Sequence, residues 1–594
     1  MKQQSTASNL LIEDDVTTVD APLRYRAERP ELALIERRVN GAWVTVTAKA
    51  FADEVDATAK GLIASGVTAG DRVAILCSTR YEWTVLDYAI WRAGATTVAV
   101  YESTAPAQLE WILADSGTSL LILETSAHYA RHEAVIKNVA DLRETLVIDD
   151  KALAALTARG TSVGDQVLDQ RHAHSRSSDI ATLIYTSGTT GQPKGVALTH
   201  ANFLAECDAA RRAVGVGMEE GRSTLLFLPL AHVFARVVSV GCIENRVRLG
   251  HTNDLPNLIP DLMAFKPEYV LSVPRIFEKI YNATEQRAQD GGNGEVFAEA
   301  ARTAVEYSKA LQSGNLAPAL AERRSSFDPL VYAPLRAALG GRCEGVISGG
   351  APLGERLGHF FNGAGIPVYE GYGLTETTGA VTANSNVERR IGSVGRPLPG
   401  VTVGVAEDGE ILLKGPTVFS HYWENPEATV EAIRDGWFHS GDIGRLEDGF
   451  LFITGRKKEI IITAGGKNVA PAQLEDTIRA HPLVSQCLVV GDQKPYIAAL
   501  ITLDPEAVPG WLERHQLPAT TPIHVVAMHH ELLADIDEVV QMANSTVSNA
   551  EAIKRFAVLD SDFSIESDEL TPTLKVKRSV VGSTRSDAIA ALYR

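Results

Sequence analysis

Short apolar segments alternate with amphipathic segments through the first two-thirds of this 594-residue chain. The apolar segments predict strands, and the amphipathic segments between them, such as residues 81–93 and 107–115, predict helices. The predicted strands lie at residues 73–77, 97–100, 120–123, 181–185, 225–228, 270–273 and 346–347. Alternation of this kind is typical of parallel sheets covered by helices. The sequence therefore predicts an α/β fold class with helix-covered sheets in its N-terminal part.

The pattern changes toward the C-terminus. Glycine and proline recur in residues 392–454, and short apolar runs such as residues 401–405 predict a small β-rich subdomain. A charged cluster at residues 456–459 then precedes a smaller region of mixed pattern. We therefore predict a large N-terminal domain at residues 1–456 and a smaller α+β C-terminal domain at residues 457–594.

Charge, cysteines and hydropathy exclude several classes of protein. The formal net charge of −18 argues against a general nucleic-acid-binding protein, which needs a basic face. The five cysteines form no Cys-x-x-Cys pair, so we expect reduced thiols rather than a zinc site or a disulfide framework. The apolar stretch at residues 225–243 is interrupted by His232 and Arg236, and the N-terminus lacks a signal-peptide core. We expect a cytoplasmic protein without a transmembrane span, and peripheral contact with the inner face of the membrane stays open.

A loop rich in hydroxyl groups and glycine directly follows the strand predicted at residues 181–185. Glycine lets backbone N–H groups approach phosphate oxygens closely, the hydroxyl groups add neutral donors, and a lysine adds a positive charge. The candidate phosphate-binding residues are Thr186, Ser187, Gly188, Thr189, Thr190 and Lys194. The loop is not a Walker A motif, because Pro193 precedes Lys194 and Gly195 follows it. It predicts a site for the phosphates of a nucleotide.

This loop, YTSGTTGQPKG at residues 185–195, resembles the signature loop of the acyl-adenylate-forming enzymes. That family includes acyl-CoA synthetases, luciferases and the adenylation domains of peptide synthetases. The resemblance extends from about residue 71 to residue 578. It implies ATP as a cofactor, coenzyme A (CoA) as a co-substrate, and a mobile C-terminal domain that turns about a hinge near Lys458.

A second glycine-punctuated motif follows a short predicted strand and reads YEGYGLTET. Tyr372, next to Gly373, offers an aromatic face for a purine, and Thr375 and Glu376 offer oxygen ligands. A carboxylate together with phosphate oxygens is the usual way in which Mg²⁺ is held. The resemblance implies that Glu376 is a catalytic residue that helps to bind Mg²⁺, with Thr186 as a second candidate metal ligand.

Further segments resemble nucleotide-binding parts of the same family. Asp442 follows a tight turn, and the resemblance implies that its carboxylate accepts hydrogen bonds from both ribose hydroxyls. Arg456 lies at the predicted domain junction and is implied to contact the nucleotide. A glycine-rich turn is similar to the adenine-binding segment, although it also suits a plain strand-to-helix turn. Its residues are Gly349, Gly350, Ala351 and Pro352.

A loop near the C-terminus contains two candidate catalytic lysines, Lys575 and Lys577. Relatives place a catalytic lysine in such a loop, and many have Ser-Gly directly before it, where this chain has Thr573-Leu574. The variant TPTLK is typical of long-chain acyl-CoA synthetases, so we favour Lys575. The resemblance further implies that a glycine-rich segment lines the path of the pantetheine arm of CoA. Its residues are Gly465, Gly466 and Lys467.

Two segments bear on the acyl group. Residues 229–236 and 272–280 resemble the long-chain synthetases, and the resemblance implies a catalytic-site role for His232 at the junction of the acyl and thiol channels. Some long-chain enzymes gate the acyl tunnel with an aromatic residue at the position of Arg236. Gating, if it exists here, is expected to differ.

Together these motifs imply ATP-dependent ligation of a long-chain fatty acid to CoA through acyl-AMP, with release of AMP and pyrophosphate. One alternative is a fatty acyl-AMP ligase that loads a carrier protein. Another is a non-catalytic nucleotide- or lipid-binding protein of the same fold. The candidate residues Lys575, Glu376, Asp442 and Arg456 are all present, which disfavours the non-catalytic alternative. Acyl-AMP ligases usually carry an insertion after the hinge, and none is evident here between residues 460 and 471. This disfavours the alternative of an acyl-AMP ligase that loads a carrier protein.

Overall fold

A seven-stranded sheet is the first element of the computed structural model, which describes residues 1–186, 192–215, 218–571 and 574–594. Five neighbouring strands, from one edge of the sheet inward, are parallel. The two remaining strands, at the other edge, join the sheet by antiparallel pairing. The order across the sheet is His421–Tyr422, Lys194–Thr199, Ile180–Thr186, Thr96–Val100, Arg72–Leu76, Thr118–Leu123 and Glu144–Val147. Every residue of Thr118–Leu123 is buried, as expected for a parallel strand covered on both faces.

The second sheet has nine strands, of which six neighbouring ones are parallel. The three outer strands, two at one edge and one at the other, join by antiparallel pairing. Its order is Arg396–Pro397, Gly379–Ala383, Val368–Leu374, Gly345–Ser348, Tyr269–Ser272, Ser223–Leu226, Arg248–His251, Ala33–Val39 and Ala42–Thr47. A single hydrophobic core contains residues from both sheets and from the helices between them. The two sheets are therefore packed into one body.

Helices cover both sheets. Helix His200–Val214 shows why these segments are helical: Thr199 and Asn202 form a capping box at its start, and Gly215, with φ of 64°, ends it. The helices around the first sheet and the shared core are Asp20–Glu28, Ala48–Ala64, Tyr81–Arg92, Pro106–Ser116, Ser126–Ile136, Ala152–Gly160, Asp165–His174, His200–Val214 and Val233–Glu244. Those around the far side of the second sheet are Leu258–Phe265, Pro274–Asp290, Gly294–Gln312, Pro318–Ser326, Ala333–Ala338 and Glu355–Gly363.

A six-stranded antiparallel sheet forms the β-rich subdomain. Its strands are Lys2–Ser5, Thr402–Val405, Glu410–Lys414, Ile433–Arg434, Trp437–Glu447 and Phe450–Arg456, and the helix Pro426–Ala432 lies beside it. The N-terminal segment thus pairs with a strand some 400 residues away, at Lys2 opposite Val405.

The C-terminal part has its own core around a three-stranded sheet. The strands are Val484–Val490, Ile497–Leu503 and Ile553–Val558, and a small hairpin, Ile461–Ile462 with Asn468–Val469, precedes them. The helices are Pro471–Arg479, Val508–Arg514, Ile523–Val526, His530–Asn544, Arg578–Thr584 and Ser586–Ala591.

The predicted α/β class is confirmed, with a large N-terminal part and a smaller C-terminal part. The apolar stretch at residues 225–243 divides into the strand Ser223–Leu226 and the helix Val233–Glu244. Among the described residues, no helix is long and apolar enough to cross a membrane.

Candidate functional site

A cleft of about 3170 Å³ lies between the N-terminal and C-terminal parts. It brings together most of the candidate residues from motifs that are far apart in sequence. Those that line it are Thr186, Lys194, His232, Gly349, Gly350, Ala351, Pro352, Tyr372, Gly373, Thr375, Glu376, Asp442, Arg456 and Lys575. Four further candidates, Ser187, Gly188, Thr189 and Thr190, lie outside the described residues.

Strand order explains why the motifs meet. Gly345–Ser348 and Val368–Leu374 are parallel neighbours, with Ser348 opposite Glu370, so the segments after them emerge at one sheet edge. The carboxyl ends of parallel strands are the usual place for a ligand in α/β folds. Thr186 and Lys194, the two ends of the hydroxyl-rich loop, lie opposite each other in paired strands.

Glu370 is a cleft residue that the sequence did not single out. Its Oε1 accepts a hydrogen bond from the backbone N–H of Leu353 at 2.9 Å, which ties the turn at Gly349–Pro352 to the neighbouring strand. Burial raises the pKa of Glu370 to about 7. Glu370 reaches the cleft because it lies opposite Ser348 in the neighbouring strand. The sequence does not reveal this pairing, because it does not show which strands are neighbours.

Asp442 is held by two donors. Its Oδ2 accepts a hydrogen bond from the Tyr372 hydroxyl at 2.6 Å, and its Oδ1 accepts one from Arg456 Nε at 2.9 Å. Asp442 and Arg456 lie opposite each other in paired strands. Asp442 is 3% exposed, and each carboxylate oxygen keeps a further lone pair for a ligand hydroxyl. The carboxylate is thus fixed in orientation before a ligand binds.

Glu376 lies in a 3₁₀ turn, Thr375–Thr377, next to the end of the hydroxyl-rich loop. Its Oε1 accepts a hydrogen bond from the Tyr422 hydroxyl at 2.8 Å, and Lys194 Nζ lies 5.4 Å from the centre of the Tyr422 ring. Burial raises the pKa of Glu376. This carboxyl group is therefore placed where a cation would stabilise its charged form.

Lys575 reaches the cleft from the C-terminal part. Its backbone N–H and C=O are both bonded to Thr571, at 3.0 and 2.8 Å, so the loop is closed on itself. The side chain is open to the cleft, yet the walls of the cleft withdraw it from bulk water. The loss of hydration lowers the pKa of Lys575 to about 8, and the positive charge of Arg456 adds to this shift. The negative charges of Asp442 and Glu459 oppose it.

The two candidate lysines differ in their surroundings. Lys577 forms an ion pair with Asp568 within the C-terminal part, whereas Lys575 interacts with the charges of Arg456 and Asp442. Leu574 has φ of 61°, in the left-handed region that favours glycine. This backbone conformation gives a physical reason for the glycine that many relatives have before the lysine.

His232 caps the helix Val233–Glu244, and its Nδ1 accepts a hydrogen bond from the backbone N–H of Phe234 at 3.2 Å. Burial, with the positive charge of Lys575, lowers the pKa of His232 to about 3. The imidazole is therefore neutral near pH 7 and lies close to Lys575.

Arg236 lies in the core rather than in the cleft. It is 0% exposed, and its guanidinium forms an ion pair with Asp87, with Nε donating to Oδ2 at 2.9 Å. The guanidinium carbon lies 5.0 Å from the centre of the Trp83 ring and 5.4 Å from that of Trp91. A gating aromatic residue at this position therefore has no counterpart here, since Arg236 is not among the residues that line the cleft in the described part of the chain.

Side chains of the helix Pro274–Asp290 connect the two parts across the cleft. Arg275 donates to Asp504 Oδ2 at 3.1 Å and to Ser485 Oγ at 3.3 Å, and Lys279 pairs with Glu506 at 2.9 Å. The sequence showed Arg275 as part of a family-like segment but not this partner. These contacts hold the arrangement in which Lys575 faces the cleft.

The predicted pantetheine segment lies outside the lining of the cleft in this arrangement of the described residues. Gly465, Gly466 and Lys467 form the turn of the small hairpin, where Thr463 N–H donates to the Lys467 carbonyl at 3.0 Å. Lys467 Nζ lies 3.5 Å from Glu551. Within the described ranges these three residues are not part of the cleft lining in this arrangement.

A large α/β part and a smaller C-terminal part that enclose such a cleft define an AMP-binding enzyme, and the chain belongs to this family. The family profile described as AMP-binding enzyme matches residues 24–423. The profile described as AMP-binding enzyme C-terminal domain matches residues 458–594.

Two relatives show how far the similarity extends. The chain is 50% identical to the long-chain-fatty-acid–CoA ligase FadD15 of Mycobacterium bovis, over 96% of each chain. It is 30% identical to the long-chain-fatty-acid–CoA ligase heimdall of Drosophila melanogaster, over 93% of this chain and 91% of the relative.

Solved structures share the fold. The anthranilate CoA ligase AuaEII in complex with anthranoyl-AMP matches with a TM-score of 0.75 and 20% identity, over 98% of this chain and 99% of that one. The fatty acyl CoA synthetase of Mycobacterium tuberculosis matches with a TM-score of 0.62 and 23% identity, over 96% and 99% of the two chains.

Proposed function

We propose that this protein is a long-chain fatty acid–CoA ligase that uses ATP and proceeds through an acyl-AMP intermediate. The observation that carries the proposal is the meeting of Lys575 with Arg456 and Asp442 in one cleft, in a chain that is 50% identical to a ligase of that name. The N-terminal domain at residues 1–456 contributes the nucleotide and acyl sites. The C-terminal domain at residues 457–594 contributes the lysine.

In the first half-reaction, a carboxylate oxygen of the fatty acid forms a bond to the α-phosphorus of ATP, and the bond to pyrophosphate breaks. A carboxylate is otherwise a poor acyl donor, because its oxygen is a bad leaving group. Asp442, already oriented by Tyr372 and Arg456, accepts hydrogen bonds from the ribose hydroxyls. Lys575 offsets negative charge that develops on the phosphate oxygens.

The residues around Glu376 fit a magnesium ion. Glu376 is a carboxyl group whose pKa burial raises. It would be one ligand of the ion, and the hydroxyl of Thr186, which lines the same cleft, would be a second. Across the described residues, no cluster of three or more His, Cys, Asp or Glu side chains could hold a metal, so phosphate oxygens would complete the coordination. A bound Mg²⁺ neutralises part of the phosphate charge.

In the second half-reaction, the CoA thiol releases its proton to solvent and its sulfur forms a bond to the acyl carbon. The bond between that carbon and the phosphate oxygen breaks, and AMP leaves. Neutral His232, at the cleft wall beside Lys575, lies where the acyl and thiol paths would meet. Rotation of the C-terminal domain about Lys458 would move Lys575 out and bring Gly465, Gly466 and Lys467 toward the pantetheine arm. Such gating by a hinge is common among enzymes.

The decisive experiment supplies purified protein with ATP, Mg²⁺, palmitate and CoA. We expect AMP and pyrophosphate in equal amounts and palmitoyl-CoA as product. Absence of pyrophosphate release with any saturated fatty acid from short to very long would disprove ligase activity. Replacing CoA with a phosphopantetheinylated carrier protein separates the ligase from an acyl-AMP ligase, since the proposal requires CoA to be the better acceptor.

A further inference from the structure

A buried carboxyl group in the apolar wall of the cleft has no role in the chemistry above. Glu206 belongs to the helix His200–Val214, and Ala210 and Val214, one and two turns further on, line the cleft with it. Glu206 is 1% exposed. The wall around it is formed by apolar residues, namely Met218, Val237, Val238, Ala380, Ala383 and Leu398.

The two carboxyl oxygens of Glu206 differ in their surroundings. Oε1 accepts a hydrogen bond from the backbone N–H of Ala380 at 2.9 Å. Oε2 is buried and has no partner among the described residues. Both carboxyl oxygens of Asp442, by contrast, are bonded, and Glu376 has Tyr422. A buried polar atom left without a partner destabilises a fold, so its presence in the wall of the cleft calls for a functional reason.

The backbone beside Glu206 is shaped to accept its side chain. Gly379 has φ of 127°, and a Cβ there would lie 3.2 Å from Glu206 Oε1. A larger residue would therefore crowd the carboxyl group. The glycine leaves room for it between the helix and the strand Gly379–Ala383.

The chemistry of this position selects a neutral partner. Burial in this apolar wall raises the pKa of Glu206 well above its ordinary value. The hydrogen bond from the Ala380 backbone N–H partly opposes this rise of the pKa, and among the described residues no cation opposes it. A carboxyl oxygen can accept a hydrogen bond from a hydroxyl group, and a protonated carboxyl can donate one to a hydroxyl or keto oxygen. A second carboxylate would gain nothing here, whereas a hydroxyl or keto oxygen would complete the hydrogen bonds.

We propose that Glu206 is a specificity-determining residue that hydrogen-bonds a neutral oxygen substituent, a hydroxyl or a keto group, on the acyl chain. The oxygenated fatty acid would satisfy Glu206 Oε2, and a plain chain would leave it unpaired. The inference rests on the proposed ligase function, because it requires the acyl chain to enter this part of the cleft.

The test compares palmitate with hydroxypalmitates and oxopalmitates that carry their oxygen at successive positions. CoA-dependent AMP release gives kcat/KM for each acid with the full-length protein. We expect at least one oxygenated acid to exceed palmitate by about tenfold or more, since sites built to bond a hydroxyl discriminate strongly against its loss. The hydroxyl and keto series show which oxygen is bonded.

Variants assign the preference to the carboxyl group. Glu206→Leu should bring the ratio of oxygenated acid to palmitate close to one, and Glu206→Gln, which keeps shape and hydrogen bonding, should retain part of it. Glu244→Gln is the matched control, because Glu244 Oε1 is also a buried carboxyl oxygen without a partner, yet Glu244 is not among the residues that line the cleft in the described part of the chain. That variant should keep the wild-type ratio.

Two outcomes would overturn the inference. The first is palmitate turnover with no oxygenated acid above it at any position. The second is a preference that persists unchanged in Glu206→Leu. Loss of turnover with every acid, palmitate included, would instead refute the proposed function and is recognisable as such.

Discussion

The Tyr372 hydroxyl donates a hydrogen bond to Asp442 Oδ2 at 2.6 Å, although the two residues are 70 positions apart in the chain. Arg456 Nε holds the other oxygen of the same carboxylate at 2.9 Å. The proposed ribose contact is therefore pre-oriented by a residue from each of two different sheets. Pre-orientation lowers the cost of ordering the site when the nucleotide binds.

Removing the Tyr372 hydroxyl should weaken ATP binding. A hydrogen bond to a charged group contributes about 1.5 kcal/mol or more, so Tyr372→Phe should raise the KM for ATP about tenfold. The measurement is pyrophosphate release at varied ATP. Tyr81→Phe removes a tyrosine–carboxylate bond of the same length, to Glu54, that lies away from the cleft, and it should leave this KM unchanged. Equal effects of the two variants would contradict the assignment.

Lys575 should act in one half-reaction. Lys575→Ala should slow acyl-AMP formation by about a hundredfold or more, since it removes a charge placed at the developing phosphate charge. Thiolysis of supplied acyl-AMP by CoA should be largely retained. Lys577→Ala, which breaks the ion pair with Asp568, should affect neither half-reaction strongly. Comparable losses of both half-reactions in Lys575→Ala would rule out the role.

Acyl-AMP formation should decline in alkaline solution. The pKa of Lys575 is lowered to about 8, so the charged form dominates below that pH and is lost as the pH rises through it. Arg456, Asp442, Glu459 and His232 are the charged or titratable groups that interact with it. The first half-reaction should be followed between about pH 6 and about pH 10, which brackets the shifted and the ordinary lysine pKa.

Lys575→Arg provides the control for this pH dependence. Arginine keeps its charge throughout the range, so the alkaline decline should disappear even where the overall rate is lower. A decline at the same pH in Lys575→Arg would assign the titration to another group.

The buried pair of Arg236 and Asp87 should matter for stability rather than for chain-length preference. Arg236→Met leaves Asp87 buried without its partner, which costs about 3–5 kcal/mol of unfolding free energy. The double variant Arg236→Met with Asp87→Leu should lose less than the single one. Urea unfolding gives these values. An altered chain-length profile at unchanged stability would instead place Arg236 on the acyl path.

The sequence alone predicted much of the fold, because its information there is local. The strand predicted at residues 73–77 is Arg72–Leu76, and that at residues 120–123 is Thr118–Leu123. Their apolar runs are buried on both faces, a property that neighbouring residues reveal. The helix that precedes the strand Ile180–Thr186 was harder to predict from the sequence. Asp165–His174 has one buried residue, Leu168, so its pattern carries little signal, and contacts such as Arg92 with Asp169 support it.

What the chain determined by itself was therefore the α/β class and the local motifs around Lys194, Glu376 and Asp442. The tertiary structure decided which of these groups meet. Strand order places Asp442 beside Tyr372, domain packing places Lys575 near His232, and the core takes Arg236 away from the cleft. It also left Glu206 Oε2 without a hydrogen-bond partner among the residues that the structure describes. The physical reason is that periodicity and turn chemistry are set by neighbours in the chain, whereas burial and hydrogen-bond partners are set by packing between distant segments.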